Sequence, residues 1–174
     1  PSSAASDVYK RQILDFNYTA STRLILKQCG LSDEDIDNRL IKVHGEASNN
    51  DIIFGVEDNA GIKKEHVFLR KAYNIKYKAL NFSELYDRIK SVAIFGHSLG
   101  ETDHTYFNKL FQESCMYNKF STNNNKEFWL FYYKENGYHC MMQQLDSLTH
   151  NSLTSFRQYN RVNFINTDKE KVFI

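Results

Sequence analysis

The sequence predicts an α/β fold in which a mostly parallel sheet is covered by helices. Three observations carry that expectation. Strand-like segments and segments of helical period alternate along the chain. KSVAIF, 90–95, is apolar on both of its alternating faces, as a central strand with helices on each side requires. With 174 residues, 41% of them hydrophobic, the chain can close one core that buries roughly 70% of its unfolded surface.

The elements follow in order. ILDFNYT, 13–19, alternates as a short strand, and TRLILKQC after it has helical spacing that stops at Gly30. RLIKVHG, 39–45, reads as a second strand closed by glycine. After a polar SNN loop, DIIFG, 51–55, reads as a third. From Lys64 to Leu80 the spacing of Phe68, Ala72, Ile75 and Ala79 predicts a helix with its lysines outward, and FSELYDRI predicts a shorter one. KSVAIF then leads through GHSLGE into a helix whose Phe107, Leu110, Phe111 and Cys115 share a face. FWLFYY, 128–133, is a strand after the polar STNNNKE. A helix follows over about Tyr138 to Leu148, then a short helix, SLTSFRQY, and a last strand, RVNFIN. No internal repeat interrupts the pattern.

Composition narrows the function classes. A formal charge of +1 provides no field toward nucleic acid or an anionic membrane, and the basic, aromatic stretch after Lys64 has its aromatics at core spacing. No apolar run approaches the roughly 20 residues that span a bilayer. The three cysteines, Cys29, Cys115 and Cys140, form no C-x-x-C pair and are expected as buried or inert thiols in a reducing cytoplasm. No histidines stand at H-E-x-x-H spacing, so no metal is expected. The opening PSSAASDVYKRQ, 1–12, is small and polar without apolar period. It is expected to be a non-native leader, leaving 13–174 as a single domain. Nothing in the sequence opposes self-association into a homo-oligomer.

The chemistry concentrates at GHSLG, 96–100. Its spelling fits the G-x-S-x-G elbow that raises a nucleophilic serine above a hydrolase sheet. Against that, Glu101, Thr102, Asp103 and His104 follow where small residues belong. The downstream acid and histidine considered in triad order, Asp146 and His150, lie four apart on or beside one helix. Two readings remain. Ser98 and Glu101 have the S-x-x-E spacing of a capping box. The turn also lies at the carboxyl end of a central strand and the start of a helix, where open parallel sheets bind nucleotides.

VAIFGHSLGETDHTYFNKLF resembles the carboxyl-terminal signature of the phage abortive infection AbiH family. FNYT at 16–19, VHG at 43–45 and IIFG at 52–55 resemble its other blocks in the same order. That family resembles, more distantly, sirtuins and sirtuin-like NAD-cleaving defence domains. The resemblance implies a Rossmann-like, sirtuin-like NAD-binding fold and a role in phage defence. It places Asn17 and His44 beside the nicotinamide ribose, with Gly45 next to them, and Gly96, His97 and Ser98 along the adenosine side. Asp103 is added as an acceptor for a ribose hydroxyl. Two features depart from the pattern. There are no four zinc-binding cysteines, which argues against deacylation, and no glycine-rich GNGFD-like loop opens the chain. The domain is therefore expected to lack its first β-α unit and to bind dinucleotide poorly.

If NAD is cleaved, an oxocarbenium-like sugar forms. His44 would then act as base and Asn17 would orient the water without adding charge. The alternative is a non-catalytic module that senses a nucleotide or a phage component. Each residue also has a plain structural role open to it: His44 bonded to a carbonyl at a strand end, Asn17 bracing a turn, and His97 donating to a backbone oxygen.

Overall fold

The computed structural model describes residues 11–57, 60–75, 89–116 and 125–169. It is an α/β chain with two small parallel sheets, in two compact units, Pro1–Lys78 and Ala79–Ile174.

In the first unit β1 (Ile13–Asp15) pairs in parallel with β2 (Leu40–Lys42), Asp15 opposite Lys42. The helical crossover between them has two parts. Helix α1 (Ser21–Gln28) ends at Gly30, whose φ of +86° lets the chain reverse. Helix α2 (Asp33–Arg39) has no apolar period and was not expected. It forms because Ser32 Oγ accepts the Asp35 N–H at its start, while Asp33, Glu34 and Asp35 meet the positive end of the helix dipole. Ile36, Val43 and Ile53 form the buried apolar centre.

Two sequence expectations fail in this unit. DIIFG joins neither sheet; Ile53 makes one backbone bond, to His44 O. The helix expected from Lys64 is replaced, over the described residues, by 3₁₀ turns at Lys64–Leu69 and Lys71–Tyr73. The cause is tertiary pairing. Val56 N–H donates to Leu69 O and Lys71 N–H donates to Val56 O, and these are groups that an α-helix would need internally. Lys71 is buried and bonds Glu57 Oε1 at 3.1 Å, while Phe68, Ala72 and Ile75, placed on the core side by periodicity, are exposed. The expected helix FSELYDRI, apart from Ile89, and the end of the Lys64 segment lie outside the described residues, as do residues 1–10 of the expected leader.

The second unit holds β3 (Ser91–Ile94), α3 (His104–Ser114), β4 (Glu127–Tyr132), α4 (Lys134–Leu148), α5 (Leu153–Tyr159) and β5 (Arg161–Asn166). The strands are parallel in the order β3-β4-β5, with Val92 opposite Phe128 and Phe128 opposite Val162. Residues two apart on a strand share a face. Phe128 and Leu130 are fully buried. Phe128 packs on Phe111 of α3 and Phe156 of α5, and Tyr132 packs on Tyr138 of α4. All three helices therefore cover one face.

The other face carries Ala93, Phe95 and Trp129, all exposed. KSVAIF was expected to be central and covered on both sides. Within this sheet β3 instead stands at an edge, and β4 is the middle strand. Among the described residues no helix is long and apolar enough to cross a membrane. Cys29 and Cys140 are exposed and Cys115 is partly so, so of the expected alternatives, buried or inert, burial does not hold.

Candidate functional site

Parallel pairing brings the tips of β1 and β2 together, and with them residues distant in sequence. Asp15 is 4% exposed, and a lone buried carboxylate would be costly. Burial pushes its pKa up. Hydrogen bonds from Lys42, the Asn17 N–H and Thr22, with the charge of Lys42, outweigh burial and hold it below the ordinary carboxylate value. Lys42 Nζ donates to Asp15 Oδ2 at 2.9 Å and to the carbonyls of Asn17 and Thr19, each at 2.6 Å. The Asn17 N–H and Nδ2 both donate to Asp15 Oδ1, at 2.9 and 3.2 Å. Asn17 thus braces the turn after β1, and its side chain is exposed.

His44 lies on the neighbouring strand tip, 4% exposed, with Phe16 edge-on at 5.5 Å and Tyr18 stacked at 5.9 Å. Its carbonyl accepts from Ile53. Gly45 follows with φ +74°, and a Cβ there would fall 2.1 Å from Asp51 O, so only glycine fits. Asn17, His44 and Gly45 therefore stand on adjacent loops. Phe16 and Tyr18, on either side of Asn17, both touch His44.

In the second unit the GHSLG turn leaves the carboxyl end of β3. Gly96 has φ +65° with open space beyond its Cβ position, so backbone shape rather than room requires glycine. His97 Nδ1 accepts the Leu99 N–H at 2.9 Å. In the neutral ring the proton is then on Nε2, 3.3 Å from Asp103 Oδ2. His97 and Asp103 are thus brought together as partners of each other.

Leu99 is fully buried in a left-handed conformation, φ +55°. His104 Nε2 lies 3.0 Å from its carbonyl and 2.9 Å from Gln144 Oε1. A carbonyl only accepts, so His104 also carries its proton on Nε2. Two imidazoles therefore hold the two backbone groups of Leu99. His104 thus helps build the turn.

Ser98 is exposed and forms no capping box. A 3₁₀ turn, Glu101–Asp103, intervenes before α3, and neither it nor α3 has a side-chain cap. The reason is Leu99, whose left-handed backbone turns the chain away before the helix begins. No imidazole hydrogen-bonds Ser98 Oγ among the described residues. His150 lies far along the chain, bonded to Gln112, and no hydrolase triad is assembled.

Lys42, Tyr18 and His104 were missed in the sequence. Asp15 and Lys42 are 27 residues apart, and only the strand register makes them neighbours. Tyr18 carried a signal, lying within FNYT.

Comparison with curated proteins and with solved structures returns no match. The family model described as bacteriophage abortive infection AbiH matches residues 2–133, a span that takes in FNYT, VHG, IIFG and the GHSLG turn. With more than half of the sequence matched, the chain belongs to the bacteriophage abortive infection AbiH family.

Proposed function

We propose that this abortive-infection protein works in the cytoplasm by binding NAD or a related nucleotide through a Rossmann-like, sirtuin-like fold. The GHSLG turn holds the adenosine side, and Asn17 and His44 serve the nicotinamide ribose. One observation carries the reading: a rigid turn at the carboxyl end of a parallel strand, fixed from within by His97, His104 and Asp103, leaving Gly96 and Ser98 exposed. Such a crest is where parallel sheets take phosphorylated ligands, and fixed donors there need no reordering on binding.

In the catalytic form of this reading, His44 is the base and Asn17 orients the water. Asn17 suits that role, because its amide nitrogen is anchored on Asp15 while the side chain remains exposed. A second reading, binding without turnover, is favoured by the burial of His44 between Phe16 and Tyr18. One experiment separates them. NAD is titrated into the full chain by calorimetry, and nicotinamide release is followed by chromatography with and without phage lysate. Binding with release supports the hydrolase, and binding without release supports the sensor. No binding of NAD, ADP-ribose or AMP refutes the nucleotide reading.

A further inference from the structure

Four rings form a row in the first unit, running from its interior to its surface. Phe16 meets buried His44 edge-on, His44 stacks under Tyr18, and Tyr18 leans on Phe54 at 5.1 Å and 40°. Phe54 is 69% exposed, and among the described residues Tyr18 is the only ring it meets. A single exposed phenylalanine on a loose loop would need no explanation. This one is held on both sides.

Directly before it, Ile53 N–H donates to His44 O at 2.9 Å. Two residues after it, Val56 N–H donates to Leu69 O at 2.9 Å. Gly55 between them presses so closely on Leu69 O that a Cβ would lie 2.5 Å away. The loop joining His44 to Phe54 is also pinned. Glu46 N–H donates to Asp51 Oδ1 at 2.6 Å, and Ala47 N–H donates to Tyr18 O at 2.8 Å. The backbone that carries the Tyr18 and Phe54 rings is therefore fixed before anything binds, which lowers the ordering cost of a contact there.

The row stands at the carboxyl ends of the parallel pair β1–β2, on the side where such sheets take ligands. Asn17, next to Tyr18, keeps its Nδ2 on Asp15, and no described residue engages its Oδ1. That oxygen is an acceptor for an amino or amide N–H.

We infer that Phe54, backed by Tyr18, forms a stacking shelf for the planar heteroaromatic ring of a ligand, with Asn17 Oδ1 accepting from the ring's amino or carboxamide edge. The ring belongs to a nucleotide, so this inference rests on the reading above and adds to it the residues that recognise the base. Its chemistry is shared by adenine and by nicotinamide, and the experiment separates the two.

Calorimetry on the full chain compares AMP, nicotinamide mononucleotide, NAD and ribose 5-phosphate. Phe54→Ala and Phe54→Leu should each weaken the ring-bearing ligand by about tenfold to a hundredfold, the size of one base–aromatic stack. Phe54→Trp should retain it, and ribose 5-phosphate should be indifferent to all three. Whichever of AMP and nicotinamide mononucleotide loses affinity names the ring. Leucine keeps the bulk and separates stacking from simple burial. Because Phe54 is exposed, thermal melting of the variants should match the parent. The shelf is overturned if the parent binds a ring-bearing nucleotide and Phe54→Ala binds it equally well; nucleotide binding then stands alone. It is likewise overturned if Phe54→Ala changes the oligomeric state by light scattering but not the affinity, since the ring then belongs to a contact between copies. If the parent binds no ring-bearing nucleotide, both readings fall.

Discussion

Replacing Lys42 with methionine tests the electrostatics of the first unit directly. Its ammonium has Asp15 Oδ2 at 2.9 Å, two carbonyls at 2.6 Å and Glu46 Oε2 at 3.7 Å, and the Asp15 side chain is only 2% exposed. Methionine fills much of the stem volume but leaves a buried carboxylate with donors from the Asn17 N–H, Asn17 Nδ2 and Thr22 and no cation. Removing one partner of a buried pair costs about 3–5 kcal/mol, and the 16% exposure of Lys42 puts this case near 3.

The pH dependence carries the sign. In the parent, Asp15 is depressed, so its contribution is complete above the unfolded value near 3.9 and is lost as pH falls through the folded value below that. Without Lys42, burial, the largest single influence on the group, should outweigh the Asn17 and Thr22 bonds and lift the carboxyl above its ordinary value. Lys42→Met should then lose stability as pH climbs from 4 to 7, over a range where this group leaves the parent flat.

Urea unfolding by circular dichroism at pH 7 and pH 4.5 measures the gap. Exchange at the Val43 amide, which donates to Asp15 O at 2.9 Å, localises it to the strand pair. Trp129, the sole tryptophan, is in the other unit and would be blind to it. Asp15→Asn combined with Lys42→Met should recover about half of the loss. A Lys42→Met variant within about 1 kcal/mol of the parent at pH 7, or with an unchanged pH slope, refutes the argument.

Four further substitutions have defined outcomes. Gly45→Ala should cost more than about 3 kcal/mol, because a left-handed alanine there also strikes Asp51 O. Gly30→Ala, at φ +86° with open space, should cost only about 1 kcal/mol, and differential scanning calorimetry compares them. His97→Phe keeps a ring against Phe107 but removes the acceptor of the Leu99 N–H and the Nε2 that faces Asp103. It should lower stability by about 1–3 kcal/mol and speed exchange of the Leu99 amide, read by NMR. Ser98→Ala should move the melting free energy by less than about 0.5 kcal/mol, whereas a capping serine would cost about 1. Nucleotide affinity, if the turn binds as proposed, should fall in that same variant.

The second unit was the more legible in sequence. FWLFYY, the helix after it, SLTSFRQY and RVNFIN all form, because each buries its own periodic face against neighbours close in the chain. Legibility fell where partners are distant. The stretch after Lys64 has a helical stripe, but Val56 and Glu57 claim its backbone and Lys71 from outside. Helix α2 has almost no stripe, and only Ser32 with the acids after it announced a helix start. At the sites, Asn17, His44 and the GHSLG turn stood out by residue type. What holds them, Lys42 under Asn17 and His104 behind Leu99, depends on strand register and on the path of a turn, neither of which has a local spelling.

The left-handed Leu99 has a practical consequence. Its isobutyl group is sunk in the interior while its backbone shapes the surface turn, so the turn cannot lift without opening the core. Occupancy of the crest and melting of the unit are thereby coupled. A ligand at a hundred times its dissociation constant would add about 2.7 kcal/mol to unfolding. A heating screen of dye-stained protein against a nucleotide library would thus test the proposed ligand class without any assay of turnover.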